Sequence, residues 1–204
     1  MGRVALHFAF RRRVQVWRAR LSIPSLLSAC DERRVVSLAA AVSGGLSIFI
    51  ISALAWVADL PILFPALGPT AFLLFSSPFS PASAPRAVVL GHFTCMVVGF
   101  VVWQLVTFVS GQPANAELGG WPVLASASAV LAVSCVLLVW LSCPHAPACA
   151  TGLIIGLGAA TDAFSLLGMA AGVVLLTAQA VVINKITGVR APAWSPRTEE
   201  GLPD

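Results

Sequence analysis

The chain has 204 residues, of which 58% are hydrophobic and only 10% are charged. Soluble globular domains carry about 25% charged residues, so this composition excludes an ordinary soluble fold and indicates an integral membrane protein. The net charge of +4 does not indicate a nucleic-acid-binding protein, because eight of the twelve Lys and Arg residues precede residue 35.

Residues 1–34 form a basic tail. Lys and Arg beside a membrane span favour the cytoplasmic side and attract anionic lipid by about 1 kcal/mol per residue, so we expect a cytoplasmic N-terminus in the plasma (inner) membrane. Apolar side chains alternate with arginines between Leu6 and Leu21, which leaves open an interfacial helix or a solvated tail. The tail lacks the apolar run and cleavage site of a signal peptide, so we expect it on the mature protein.

The next 150 residues are almost free of charge. Between residues 35 and 184 the charged side chains are Asp59, Arg86, Glu117 and Asp162. A helix needs about 20 apolar residues to cross the hydrocarbon core, and four uninterrupted stretches reach that length: residues 35–58, 87–110, 121–142 and 163–184. We predict an all-α membrane protein with a transmembrane domain over residues 35–190 and a polar C-terminal tail over residues 191–204.

Two further apolar segments, residues 60–77 and 143–161, are interrupted by helix breakers. These are Pro61, Pro65, Gly68 and Pro69 in the first segment and Pro144 and Pro147 in the second. Since proline cannot sit in a helix interior without breaking it, each segment is predicted to be an extended lead-in followed by a half-helix, starting near Pro69 and Ala148. Asp59 and Asp162 flank these segments and are predicted to mark helix ends.

The two broken segments resemble each other, with LGPTAFLL at residues 67–74 and ACATGLII at residues 148–155. Each sits between two long helices, which predicts an inverted two-fold repeat of residues 35–110 and 121–184. Interrupted segments at matching places in two halves are typical of a transport site near the bilayer midplane.

Two topologies are open: the broken segments cross the membrane, or they re-enter and leave four spans. A lead-in and half-helix together reach about 40 Å, enough for a core of about 30 Å. Crossing also places Arg86, Lys185 and Arg190 on the side of the basic tail, and leaves residues 111–120, which lack Lys and Arg, outside. The positive-inside pattern therefore favours six passes.

Non-helical backbone at membrane depth must face protein or a hydrated cavity, so a polar interior is expected. The half-helix N-termini, with Gly68, Thr70 and Thr151, are predicted to bind an anion through free N–H groups and the helix dipole. The alternative is that each threonine bonds back to its own helix.

His92 and His145 are ionisable groups at membrane depth, which are usually functional and face the interior. An imidazole can hold an anion when protonated and release it when neutral. Alternatively, each ring satisfies a nearby carbonyl and fixes helix packing. Arg86 either attracts anions at an intracellular mouth or snorkels to the headgroups.

The five cysteines are odd in number and lie mostly in apolar runs, which is typical of small hydrophobic residues and not of a disulfide framework. Cys143, His145 and Cys149 form a weak candidate for a soft-metal site, and His92 with His145 a weaker one for haem. We expect no cofactor. The common catalytic motifs are missing from the sequence, so we do not expect an enzyme.

The stretch from His145 to Gly152, HAPACATG, resembles the His-Pro-Pro-Ala-Gly-Ala-Thr-Ala motif of the HPP family of small membrane proteins, with Ala146 and Cys149 in place of a proline and the glycine. Residues 64–75, FPALGPTAFLLF, look like the family's Pro-Ser-Leu-Gly-Ala-Ser-Ala segment. Ser-Pro, Pro-Arg and Gly-His pairs follow at residues 80–81, 85–86 and 91–92, and the closing Pro and Trp at residues 192 and 194. The resemblance extends over about residues 35–194.

Members of that family are described as having four transmembrane helices, and some plant and cyanobacterial members take part in nitrite transport. The resemblance therefore implies a transporter of a small monovalent inorganic anion. The positions that match family motifs are Thr70, Arg86, His92, His145 and Thr151.

Two other functions remain open at this point. One is a redox membrane protein that binds a metal or haem through its cysteines and histidines. The other is a non-transporting scaffold that recruits partners through its basic tail. A homo-oligomer is also expected, since Gly44 and Gly45 in the first span offer a close-packing face.

Overall fold

Within the described residues, four long and two shorter apolar helices form a bundle, and one five-residue helix precedes them. The computed structural model describes residues 22–27, 31–115 and 119–196, so the predictions for the tail before residue 22 lie outside it. In these ranges the α-helices are α1 (Ile23–Leu27), α2 (Glu32–Ala58), α3 (Leu67–Ser76), α4 (Pro85–Ser110), α5 (Trp121–Trp140), α6 (Pro147–Gly156) and α7 (Ala163–Ile186), and a 3-10 turn covers Pro81–Ser83. This confirms the predicted all-α membrane class.

Helices α2, α4, α5 and α7 are long and apolar enough to cross a membrane. They correspond to the four predicted spans, and α3 and α6 to the two half-helices. The observed bounds differ by a few residues for local reasons. Helix α4 begins at Pro85 because the first turn of a helix does not need the N–H group that proline lacks.

Helix α5 ends at Trp140, two residues before the predicted end. Ser142 adopts the left-handed conformation, with φ of 51°. The N–H of Cys143 then donates to Leu138 O at 2.9 Å, which closes the last turn. Asp59, with φ of 50°, ends α2 in the same way, so both helices that precede a broken segment stop at a left-handed residue.

Asp162 marks the other predicted boundary, at the start of α7. Its carboxylate accepts a hydrogen bond from the N–H of Ser165 at 2.9 Å and caps the helix. Hydrogen bonds from the side chain and the N–H of Ser165 hold the pKa of Asp162 below its usual value. Asp59 and Asp162 therefore stand at helix ends, as predicted.

The first broken segment runs from one end of the bundle to the other. It leaves the C-terminus of α2, and at its far end Leu73 O accepts from Ser83 Oγ at 3.0 Å and Leu74 O from the Asn184 amide at 3.3 Å. Ser83 precedes α4 and Asn184 lies near the end of α7. Helix α3 therefore ends where α4 begins and α7 ends.

The second broken segment runs in the opposite direction. It starts at the C-terminus of α5, where the Arg86 guanidinium donates to Leu141 O at 3.2 Å. It ends beside the start of α5, where Ser126 Oγ donates to Gly156 O. Both segments thus run between the two ends of the bundle, while the number of membrane passes stays a prediction. The two halves start at opposite ends, while the two-fold repeat itself stays a prediction.

Basic residues gather at one end of the described bundle. Arg33 and Arg34 lie in the first turn of α2, Arg86 in the first turn of α4 and Lys185 in the last turn of α7, all at this end. The described residues of the loop from 111 to 120, at the opposite end, contain no Lys or Arg. The two ends of the described bundle therefore differ in basic charge, as the sequence predicts.

Glycines let each broken segment pack tightly against a long helix of the other half. A Cβ at Gly99 of α4 would lie 2.5 Å from Gly152 O in α6. A Cβ at Gly172 of α7 would overlap Ile62 O in the first lead-in. Only glycine fits at such close backbone contacts. The broken segments are consequently enclosed by the long helices.

Candidate functional site

The half-helices α3 and α6 both begin in the middle of the bundle, but their first N–H groups are already bonded. Those of Leu67 and Gly68 donate to the preceding carbonyls of Phe64 and Pro65 at 3.1 and 3.2 Å. In α6, those of Ala148 and Cys149 donate to His145 O and Ala146 O at 3.0 Å. These groups are therefore not free to bind an anion, contrary to the expectation.

What meets in the middle is a set of four side chains, Thr70, His92, His145 and Thr151, which we call the imidazole–hydroxyl cluster. Thr70 Oγ1 lies 3.1 Å from His92 Nε2 and 3.1 Å from His145 Nε2. Thr151 Oγ1 lies 2.7 Å from His92 Nδ1. The structure thus brings four of the six predicted site residues into one hydrogen-bonded chain.

The members of the cluster come from the two broken segments and from α4. Thr70 lies in the first turn of α3 and Thr151 in the second turn of α6, His92 lies in α4, and His145 lies in the second lead-in. All four are 0% exposed. Polar groups are costly to bury unless they are hydrogen-bonded, and here they bond to one another.

The local sequence explains how the rings come together. A Cβ at Gly91 would lie 3.3 Å from the Cβ of His145, so a glycine here lets α4 approach the second lead-in closely. The centroids of the two imidazole rings lie 5.0 Å apart, with 55° between the planes. On its other side, His92 meets the edge of Phe64 at a centroid distance of 6.3 Å.

Two contacts tie the cluster to the backbone. His145 Nδ1 donates to Ala82 O at 2.7 Å, in the turn before α4. Thr70 Oγ1 lies 2.8 Å from Ala66 O, four residues earlier in its own chain. The bonding of a threonine to its own helix, which the sequence left open, therefore coexists at Thr70 with the contacts to both histidines.

Gly68 and Arg86 lie apart from the cluster. Gly68 is exposed, and a Cβ there would meet nothing within 4 Å. Arg86 is half-buried at the basic end of the bundle, where its guanidinium donates to Leu141 O at 3.2 Å and to Ser142 O at 3.4 Å. It therefore secures the C-terminus of α5 and does not contact the imidazoles through a hydrogen bond.

The weak metal candidate does not assemble in the described residues, where no group of three or more His, Cys, Asp or Glu could hold a metal ion. Cys143 Sγ donates instead to Leu141 O at 3.3 Å. The haem candidate also fits poorly, because all four ring nitrogens of His92 and His145 lie within hydrogen-bonding distance of a protein oxygen.

Sequence reasoning missed the carbonyl of Ala82, which accepts from His145, and the packing of Phe64 against His92. Ala82 contributes only its backbone carbonyl, so its residue type carries no signal. In the sequence, Phe64 does not differ from an ordinary core residue. The one usable signal for Phe64 is its position, six residues before Thr70, because His145 lies six residues before Thr151.

A family model described as "HPP, transmembrane region" matches residues 31–192, a range that includes the whole cluster. Comparisons with curated proteins and with solved structures give no match. The family match covers most of the chain and confirms the resemblance seen around residues 145–152. The chain therefore belongs to the HPP family of integral membrane proteins.

Proposed function

We propose that this protein transports a small monovalent inorganic anion, such as nitrite, across the membrane through the imidazole–hydroxyl cluster. The observation that carries the proposal is the complete burial of two imidazoles and two hydroxyls at the centre of an apolar bundle. Ionisable groups at membrane depth are expensive to keep and typically mark substrate or ion pathways.

The chemistry of the cluster suits an anion. A protonated imidazole supplies a positive charge, and its N–H groups and the hydroxyls of Thr70 and Thr151 can donate to an anion that displaces one of the contacts within the cluster. Helices α3 and α6 both begin within three residues of a cluster member, so their positive dipole ends lie near the cluster, although their first N–H groups are bonded. A single added proton and a single small anion would leave the site neutral overall.

The basic end of the bundle is proposed to face the cytoplasm, in the plasma membrane. Lys and Arg near span ends favour that side and attract anionic lipid, which is the proposed lipid partner there. The homo-oligomer stays a prediction. A Cβ at Gly44 would lie 3.7 Å from the Phe75 ring of the same chain, whereas a Cβ at Gly45 would meet nothing within 4 Å.

Anion flux into proteoliposomes tests the function. Purified protein is reconstituted, and uptake of nitrite, nitrate, formate and chloride is measured across a pH gradient. We expect flux of at least one small anion, lost in Thr151→Val and in His145→Ala. Thr177→Val is the matched control, because Thr177 is a buried threonine whose hydroxyl donates only to Val173 O of its own helix.

Two results would overturn the proposal. One is a folded parent protein that carries none of the four anions, which would instead favour a scaffold. The other is flux that persists unchanged in both cluster variants. Loss of flux in Thr177→Val to the same extent would show that the assay reports general damage to the bundle.

Cysteine labelling tests the proposed orientation. Gln112 and Ser77 are exposed at opposite ends of the bundle. In intact cells, a membrane-impermeant maleimide is expected to label Gln112→Cys and to leave Ser77→Cys unlabelled until the membrane is opened. The reverse pattern would place the basic end outside.

A further inference from the structure

The hydrogen atoms of the cluster can be assigned by counting donors and acceptors, starting from Ala82. A carbonyl oxygen only accepts, so the Nδ1 of His145, 2.7 Å away, carries a hydrogen. In the neutral ring, the Nε2 of His145 is then an acceptor. Thr70 Oγ1 lies 3.1 Å from it and 2.8 Å from Ala66 O. Because Ala66 O also accepts from the Thr70 N–H at 3.3 Å, the Thr70 hydroxyl donates to His145 Nε2, which would otherwise be a buried acceptor without a donor.

Thr70 links His145 to the other half of the cluster, His92 and Thr151. A hydroxyl has one hydrogen, so when Thr70 donates to His145 its oxygen accepts from His92 Nε2–H at 3.1 Å. The Nδ1 of His92 is then the acceptor for the Thr151 hydroxyl at 2.7 Å. The donors point in one direction, from Thr151 through His92, Thr70 and His145 to Ala82.

The other tautomer of His92, with its hydrogen on Nδ1, leaves a hydrogen bond of the cluster unmade. Both Nε2 atoms would then be acceptors facing the single hydroxyl hydrogen of Thr70, and one buried acceptor would stay unsatisfied, which is unfavourable. Two neutral histidines in this geometry therefore carry their hydrogens on different nitrogens, Nδ1 in His145 and Nε2 in His92.

The Thr70 hydroxyl has a second acceptor within reach, Ala66 O at 2.8 Å. If a proton is added to His145 Nε2, that nitrogen becomes a donor and no longer needs the hydroxyl hydrogen. The hydroxyl can turn to Ala66 O while its oxygen accepts from both Nε2–H groups. Every donor again has an acceptor, and only a hydrogen atom has rotated.

We infer that the imidazole–hydroxyl cluster is a binding site for one proton, held on His145, with the Thr70 hydroxyl turning from His145 to Ala66 O when the proton binds. A first proton on His92 Nδ1 would instead displace the Thr151 hydroxyl, whose described hydrogen bond is to that nitrogen alone. A second proton on His92 is disfavoured, because the two ring centroids lie 5.0 Å apart in a site that is closed to water. If the proposed function holds, the ligand that accompanies each anion is one proton.

The hydrogen bonds of the two rings go to Thr70, Thr151 and Ala82, and none goes to another ionisable side chain of the surrounding elements. Those other side chains are Arg86 and Cys95 on α4, Cys143 and Cys149 on the second lead-in and α6, Cys135 on α5, and Lys185 at the far end of α7. The guanidinium of Arg86 and the thiol of Cys143 bond to carbonyls at the end of α5. Helix α3 carries no titratable side chain.

Nitrogen NMR of ¹⁵N-histidine-labelled protein in lipid nanodiscs tests the inference directly. The chain has three histidines, so His7→Gln leaves signals from His92 and His145 alone. At high pH we expect one ring protonated at Nδ1 and the other at Nε2. On lowering the pH, only one ring, His145, should become doubly protonated before the protein unfolds.

Substitutions at Thr70 test whether its hydroxyl, and not only its packing, sets the tautomers of the two histidines. Thr70→Ser keeps the hydroxyl and should keep the mixed tautomers, whereas Thr70→Val should lose them. Helix content and melting temperature, measured on the same samples, check that Thr70→Val is still folded. Identical tautomers in the parent, joint protonation of both rings, or an unchanged pattern in Thr70→Val would each overturn the inference. The NMR readout needs no transport, so a failed flux assay would leave it standing.

Discussion

The two broken segments share a plan and differ in the chemistry that they bring to the centre. Each follows a helix that ends at a left-handed residue, Asp59 or Ser142, and each ends in a ten-residue half-helix with a buried threonine near its start. At the position six residues before that threonine, the second segment has His145 and the first has Phe64.

The long helices of the two halves differ in the same way. His92 lies 22 residues after Thr70, and the residue at the same spacing after Thr151 is Val173, which is fully buried. The polar groups that meet Thr70 thus have apolar counterparts, Phe64 and Val173, in the matching places. The site is therefore one-sided: the ionisable groups His92 and His145 bond Thr70, whereas Phe64 and Val173 occupy the positions at the same sequence spacing.

Making the two segments alike should have the largest effect on flux. His145→Phe places the residue of the first segment in the second and removes the ionisable ring that bonds Thr70 and Ala82. A hydrogen bond to a charged group contributes about 1.5–3 kcal/mol, so flux should fall roughly 10- to 100-fold. Phe64→Leu, which keeps an apolar residue, should retain flux within about twofold in the same proteoliposomes.

Equal flux in His145→Phe and Phe64→Leu would mean that the difference between His145 and Phe64 at this position does not affect transport. Melting temperatures of both variants should accompany the flux measurements. They separate loss of the ring from loss of the fold.

Glycine contacts, in contrast, should matter equally in both segments. Gly172→Ala would push a Cβ into Ile62 O and Gly99→Ala into Gly152 O. Overpacking a filled interior costs about 1–3 kcal/mol, so both variants should unfold at lower temperature in detergent. Gly45→Ala is the control, because its Cβ would meet nothing within 4 Å. A control as unstable as the two variants would contradict this account.

The hydroxyl of Thr151 should contribute less to stability than these backbone contacts. Thr151→Val removes the donor to His92 Nδ1 at 2.7 Å while the side-chain shape is kept. We expect a loss of about 1 kcal/mol, the typical net value of one hydrogen bond, measured as a shift in thermal unfolding. Thr177→Val, at a hydroxyl bonded only to its own helix, should shift the unfolding temperature less. A larger shift in Thr177→Val would count against the cluster's role in stability.

The smallest effect is expected at Arg86. Its guanidinium donates to two carbonyls at the end of α5, just before the second segment. A cation at a helix C-terminus stabilises by about 0.3–1 kcal/mol and is screened by salt. Arg86→Gln should therefore lower the melting temperature slightly at low salt and leave flux within about twofold. A large loss of flux would instead assign Arg86 to the anion pathway.

Local chemistry made much of the fold predictable. The four long helices follow from apolar runs of sufficient length, and the breaks follow from prolines, whose effect depends on neighbouring residues alone. The half-helix α6 begins at Pro147, one residue before the predicted start, and α3 at Leu67, two residues before it. In both cases the N–H groups bond to the preceding turn, a geometry that side-chain types do not reveal.

The sequence by itself determined the membrane class, the positions of the helices and breaks, and the four polar residues worth considering at membrane depth. Only the tertiary structure decided which of them meet. Thr70 and His145 are 75 residues apart, and Gly68 and Arg86, equally plausible beforehand, lie elsewhere. The physical reason is that helix formation depends on near neighbours, whereas a buried hydrogen-bonded cluster depends on close backbone contacts between distant segments, such as Gly91 against His145.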